Sequence, residues 1–222
     1  MVNFIYKIPI FIIITTNNFT IKTTKNRVTK VVSPIYRTNG TIRSKLNPSI
    51  IFSSNSALGL LAHQYKNGNW KQIALTNKDT VKCNNLVEEV PGVILLETRK
   101  GVYKYTYNKE GQGSYTKLEM DTAFTTLKRV SIKTFNDNTN LFFDSTNHFY
   151  RADLVNNKLV YTGFTIDSFV NNAYWFYTYN NDSKNGWMVT QKGIFKTSFD
   201  FKNGFTFKQY PFYKVDLTEL SP

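Results

Sequence analysis

His63, His148 and Cys83 are the only histidines and the only cysteine in a chain of 222 residues. Nucleophilic catalysis needs an imidazole within hydrogen-bond reach of a hydroxyl or thiol and oriented by a carboxylate. The two histidines stand in different parts of the chain at unlike positions, and each role has so many partners on offer that spacing selects none. Partly exposed or hydrogen-bonded structural histidines are therefore expected. Three His and Cys residues also fall short of the four ligands of a structural zinc site. Lys82 adjoins Cys83 and is of the charge that lowers a thiol pKa, but a lone structural thiol is the expectation. Carboxylates at Glu88, Glu89, Glu97, Asp137, Asp144, Asp153, Asp167 and Asp200 offer many pairings. Glycosidase chemistry requires two at a defined separation, which the sequence does not specify. Asp137, set among asparagines, lacks the Gly and terminal Glu of a calcium loop and is expected to lie in a polar turn. No catalytic residue, metal site or cofactor is expected, and the chain is read as a non-enzyme.

The basic residues show more order. Lys22, Lys104, Arg151 and Lys196 occupy matching places after a turn in four segments, and Leu60 departs from them in another. Held at similar radius and height, these four cations would form a basic ring facing an anionic partner; the alternative is a solvated strand face. The totals agree with an anionic partner. There are 28 Lys and Arg against 15 Asp and Glu, a formal charge of +13. Such a surplus favours nucleic acid, acidic glycan, lipid headgroups or an acidic neighbour in an assembly. The charge is spread along the chain, which is equally the mark of general surface character.

The segments that carry these residues repeat. Residues 94–120, 141–164 and 187–212 each read as an apolar strand, a Thr or Ser, a short turn, a second strand, a polar loop and a third strand. Weaker copies begin at Ile12 and Ile50. The hydroxyl residues Thr16, Ser54, Thr98, Ser145 and Thr190 recur at intervals of 38 to 47 residues. Asn67–Gly68 between apolar runs is a strong hairpin signal, because a type I′ turn needs positive φ at both central residues. Ser33–Pro34, Asn39–Gly40 and Pro91–Gly92 are expected to break the chain, and Pro9 to mark a bend. Turns are also expected at Asn17–Asn18 and Ser53–Ser56, and a last strand at Tyr213–Leu217. No window carries a capped helical pattern.

Periods of 40–50 residues with several strands each predict a β-propeller. The expected fold is all-β, about five four-stranded blades closed by the C-terminal strand, with a β-sandwich or barrel as the alternative. One domain is expected over residues 1–222, with units near 1–40, 41–85, 86–130, 131–175 and 176–222. The chain is long enough to bury a core without disulfides. The segments Thr98–Lys104 and Thr190–Lys196, of the form T-x-x-G-[VI]-[YF]-K, resemble the periplasmic sensor type of propeller repeat. His148 stands where that pattern has Gly, and the first two copies depart further. The unit count is similar to that of five-bladed lectin propellers, and propellers occur in phage tail proteins. The resemblance carries no functional residues.

Residues 8–14 are apolar but shorter than the ~20 residues of a membrane span, and they lack the basic start and small-residue cleavage site of a signal peptide. No membrane span is expected, and the sequence leaves the location open, with virion-associated and extracellular as the candidates. The function expected is a non-enzymatic structural or interaction module, a subunit of an assembly such as a phage tail or virion with protein partners. The alternative is a lectin-like, carbohydrate-binding propeller, although the loops that would bear one site per blade do not repeat one another.

Overall fold

The computed structural model describes residues 4–8, 11–15, 20–24, 27–31, 38–67, 69–75, 81–120, 130–135, 139–144, 148–165, 175–178, 186–190, 193–200 and 204–209. Every regular element among them is a β-strand. The strands form five sheets in which sequence neighbours pair antiparallel. The first holds β1 (Phe4–Ile8), β2 (Phe11–Thr15), β3 (Thr20–Thr24) and β4 (Arg27–Val31). The second holds β5 (Thr38–Arg43), β6 (Ile50–Asn55), β7 (Gly59–Lys66) and β8 (Asn69–Ile73). The third holds β9 (Asn85–Val90), β10 (Val93–Thr98), β11 (Gly101–Tyr107) and β12 (Gly113–Lys117). In the fourth, β14 (Val130–Phe135), β15 (Thr139–Asp144), β16 (His148–Asp153) and β17 (Lys158–Thr165) are joined by the short β13 (Glu119–Met120), which runs parallel to β17. The fifth holds β18 (Trp175–Thr178), β19 (Gly186–Thr190), β20 (Gly193–Asp200) and β21 (Gly204–Gln209). The chain divides into two compact units, Met1–Lys117 and Leu118–Pro222.

In the first unit, β6 is buried along its whole length and β10 along all but its first residue. A strand buried on both faces reads as a continuous apolar run, not as alternation. Ile50, Ile51 and Phe52 in β6 and Ile94, Leu95 and Leu96 in β10 are such runs. The core between the second and third sheets gathers Ile50, Phe52, Leu60, Leu86, Ile94, Leu96, Tyr105 and Tyr107. Phe52 lies at its centre, its ring 4.7 Å from Tyr107 and 6.3 Å from Tyr105. Burying one such ring contributes about 2–3 kcal/mol. The polar ends of these strands are buried with partners: Ser53 bonds Thr41 at 3.2 Å, and Ser54 donates to the Gly40 carbonyl at 3.3 Å.

Asn67, at φ 52°, begins the two-residue connection between β7 and β8, whose last cross-strand pair is Lys66 with Asn69. The hairpin stands where Asn-Gly predicted it. Asn39–Gly40 is different, because both residues lie inside β5. A Cβ at Gly40 would stand 3.1 Å from Asn85 and Leu86 and 3.3 Å from Ser54. That glycine serves close approach of the second sheet to the third, and β5 shifts register beside it. Ser53 and Ser54 likewise remain in β6, and the turn begins only at Ser56. The expectations for Pro9, Asn17–Asn18, Ser33–Pro34 and the strand at Tyr213–Leu217 lie outside the described residues.

Candidate functional site

Three hairpins are closed by the same device. Asn55, Thr98 and Asp144 end β6, β10 and β15, and each uses a side-chain oxygen to hold the turn. Asn55 Oδ1 accepts the amides of Ala57 and Leu58, both at 2.8 Å. Thr98 Oγ1 accepts the Lys100 amide at 3.0 Å and donates to the Gly101 carbonyl at 2.7 Å. Asp144 Oδ1 accepts the His148 amide at 3.1 Å. Asn, Asp, Ser and Thr share this local bonding, so the repeat conserves an acceptor and not one residue type. Register identifies the structural counterparts as Asn55 and Asp144, one residue from the Ser54 and Ser145 suggested by spacing.

Two of these hairpins border a cleft in the first unit. Its walls are Ser56 from the β6–β7 turn, Val81, Lys82 and Asn84 from the approach to β9, and Thr98, Arg99, Lys100 and Tyr103 from the β10–β11 hairpin. The volume is about 450 Å³. Three cations stand among these residues and no carboxylate does. Lys82, Arg99 and Lys100 are exposed, whereas Tyr103 is half-buried and packs on the core. Thr98 fixes the turn that presents Arg99 and Lys100, with Gly101 at φ 113°. At this φ a side chain would be strained. The tip of β6–β7 is seated equally tightly: a Cβ at Gly59 would meet the Val81 carbonyl oxygen at 2.7 Å. The cations are thus carried by a preset frame.

Buried polar bonds fix the two sheets that form the cleft. Glu88 in β9 accepts the amide of Lys45 at 2.6 Å, the amide of Gly92 at 3.1 Å, and the hydroxyl of Tyr107. Tyr107 also bonds Ser44 at 2.7 Å. Burial, and then the hydrogen bond to Glu88, hold the Tyr107 phenol above its ordinary pKa, so it remains a donor. Cys83, between two cleft residues, is itself buried, and that burial pushes its thiol up to about 12. The reactivity that Lys82 could have conferred is absent. His63 is buried in β7, and burial lowers its pKa; Nε2 has no hydrogen-bond partner among the described residues.

Of the four cations in the expected basic ring, Lys22 lies in β3 and Lys104 in β11 of the first unit, and Arg151 in β16 and Lys196 in β20 of the second. Lys104 and Lys196 each stand four cross-strand pairs from their hairpin, whereas Lys22 stands three pairs from its own. Leu60 is two pairs from its turn, and Ala62 holds the four-pair place in the second sheet. Arg151 is exposed and contributes to lowering the pKa of Asp153, after the hydrogen bonds from Asn156. Lys196 pairs directly with Lys208. Sequence reasoning missed Lys82, Arg99, Lys100 and Tyr103 as a group. The quoted T-x-x-G pattern contained two of them as its unspecified positions.

The second unit brings together a histidine and a carboxylate. His148 Nδ1 lies 3.4 Å from Oδ2 of buried Asp144, which also accepts the Tyr150 hydroxyl at 2.9 Å. The Tyr161 ring stands edge-on to the imidazole at 5.4 Å. Among the described residues no group of three or more His, Cys, Asp and Glu side chains could hold a metal ion, and no helix is long and apolar enough to cross a membrane.

No protein-family model matches the chain, and no curated protein matches it. Solved structures do. Streptogramin B lyase aligns over 90% of this chain with a TM-score of 0.60 and 16% identity. The extracellular domain of a hybrid two-component system of B. thetaiotaomicron aligns over 96%, with a TM-score of 0.62 and 9% identity. YCF48 from Cyanidioschyzon merolae aligns over 89%, with a TM-score of 0.58 and 12% identity. These are β-propeller repeat proteins. The fold is that of a β-propeller. The chain spans 65% of the lyase, 28% of the sensor domain and 67% of YCF48.

One expectation is corrected by these likenesses. The sequence alone leads to a non-enzyme, but streptogramin B lyase is an enzyme on this propeller fold. Repeats define the frame, while chemistry is placed on it by individual side chains. A repeat without catalytic residues therefore excludes nothing.

Proposed function

We propose that this propeller is an interaction or sensing module whose cleft takes an anionic group. The observation that carries the reading is the convergence of Lys82, Arg99 and Lys100 on one cleft of about 450 Å³ with no carboxylate among the described lining residues. Cations around a low-dielectric concavity focus potential and raise the local concentration of anions. Arg99 supplies a planar fork suited to a carboxylate, phosphate or sulfate, and Lys82 and Lys100 add point charges. The formal charge of +13 extends the same preference over the whole chain. In an assembly of the kind expected from the sequence, a phage tail or virion among them, the anion belongs to a protein neighbour. In a lectin-like role it belongs to an acidic glycan.

Isothermal titration with short polyglutamate at 50 mM and 300 mM salt tests the function. The wild type binds at low salt and weakens as salt rises. The triple variant Lys82→Ala, Arg99→Ala, Lys100→Ala loses at least ten-fold in affinity while keeping the wild-type unfolding curve. Equal binding by both proteins would refute the cleft as the site.

A further inference from the structure

Within that reading of the cleft, on which the inference rests, we propose that the ligand is an acidic segment of a partner protein that carries an apolar residue beside its carboxylates. The feature that selects this class lies in the β6–β7 turn, which supplies Ser56 to the lining. Leu58, at the tip of the β6–β7 turn and two residues from the lining residue Ser56, is 40% exposed. Few large apolar side chains are exposed among the described residues, and this one belongs to a turn that lines the cleft, next to Gly59, which packs against the lining residue Val81. Its place is held by design of the turn: the Leu58 amide bonds Asn55 Oδ1 at 2.8 Å, and Gly59 follows at φ 88°. The backbone that carries Leu58 is thereby set before any partner arrives, which lowers the ordering cost of binding.

A small inorganic anion would use Arg99, Lys82 and Lys100 and leave Leu58 idle. A peptide uses all of them. Carboxylates meet the cations, an apolar side chain covers Leu58, and the Tyr103 ring, anchored to the core, offers a rigid aromatic surface of the type enriched in interface centres. A cleft of about 450 Å³ suits a short stretch of peptide and not a folded surface.

The test uses the full chain and four acetylated, amidated tetrapeptides, with inorganic sulfate as the bare anion. Glu-Leu-Glu-Glu and Glu-Glu-Leu-Glu are compared with Glu-Gly-Glu-Glu and Gln-Leu-Gln-Gln by NMR titration. At least one leucine-bearing acidic peptide is expected to bind five-fold or more tightly than Glu-Gly-Glu-Glu, and the uncharged peptide not at all. Leu58→Ser is expected to erase the leucine advantage and leave sulfate binding unchanged; Arg99→Ala weakens peptide and sulfate together. If leucine gives no advantage while sulfate still binds the cleft, the peptide inference falls and the anion-binding function stands. If a thymidine octanucleotide binds more tightly than every peptide, and Leu58→Ser leaves it unaffected, the partner is a nucleic acid and the inference is overturned. If neither peptide nor sulfate perturbs the cleft, the inference and the proposed function fall together.

Discussion

The side-chain oxygen of Thr98 accepts the amide hydrogen of Lys100 at 3.0 Å. With the bond from Thr98 to the Gly101 carbonyl, this makes the β10–β11 turn a preset carrier for Arg99 and Lys100. Thr98→Val keeps the volume and removes both bonds. Unfolding in urea should show a loss of about 1–2 kcal/mol, with affinity for polyglutamate falling several-fold. Thr98→Ser, which restores the oxygen, should recover most of both.

The bond from Tyr107 to Glu88 is a second point of leverage, away from the cleft lining. Tyr107→Phe removes one of the donors to a buried carboxyl group that was desolvated with all of them in place. A hydrogen bond to such a group is worth roughly 1.5–3 kcal/mol, and chemical denaturation should show a loss of that order. Glu88→Gln should also destabilise. The double variant should cost less than the two single losses added together, because the residues share one interaction. Strict additivity would mean that they act independently.

Stability should depend on pH through His63. Burial lowers its pKa from the ordinary 6.5, so the folded protein binds this proton less readily than the unfolded chain. As pH falls below 6.5, the unfolded state takes up the proton first and stability drops; above 6.5 neither state is protonated and the contribution vanishes. His63→Leu removes this term. The melting temperature of the variant minus that of the wild type should therefore be larger at pH 5.0 than at pH 7.5. A difference that does not change with pH would contradict the assignment.

Much of the frame is legible in the sequence. Apolar triplets such as Ile50–Phe52 and Ile94–Leu96, each followed by a turn and a second strand, stand out because the second and third sheets bury β6 and β10 on both faces. The hairpin at Asn67 reads correctly because a positive φ, here 52°, leaves few residue choices. Asn39–Gly40 misleads because the same glycine also serves where two sheets approach closely, and only Asn85, Leu86 and Ser54 across the gap reveal which role applies. The cleft is less legible still. Lys82, Arg99 and Lys100 come from an irregular segment and a turn, and they meet only once the second and third sheets have packed. The regularity that did stand out, the cations at Lys22, Lys104, Arg151 and Lys196, follows the repeat itself; register then sets Lys22 one pair apart from Lys104.

The most direct test of the account is to map sulfate on the full chain by amide chemical shifts at low salt. The account predicts saturable shifts concentrated at residues 82–84 and 98–103, abolished in the Lys82→Ala, Arg99→Ala, Lys100→Ala variant. Small shifts spread evenly over the lysines of the surface, unchanged in that variant, would contradict it.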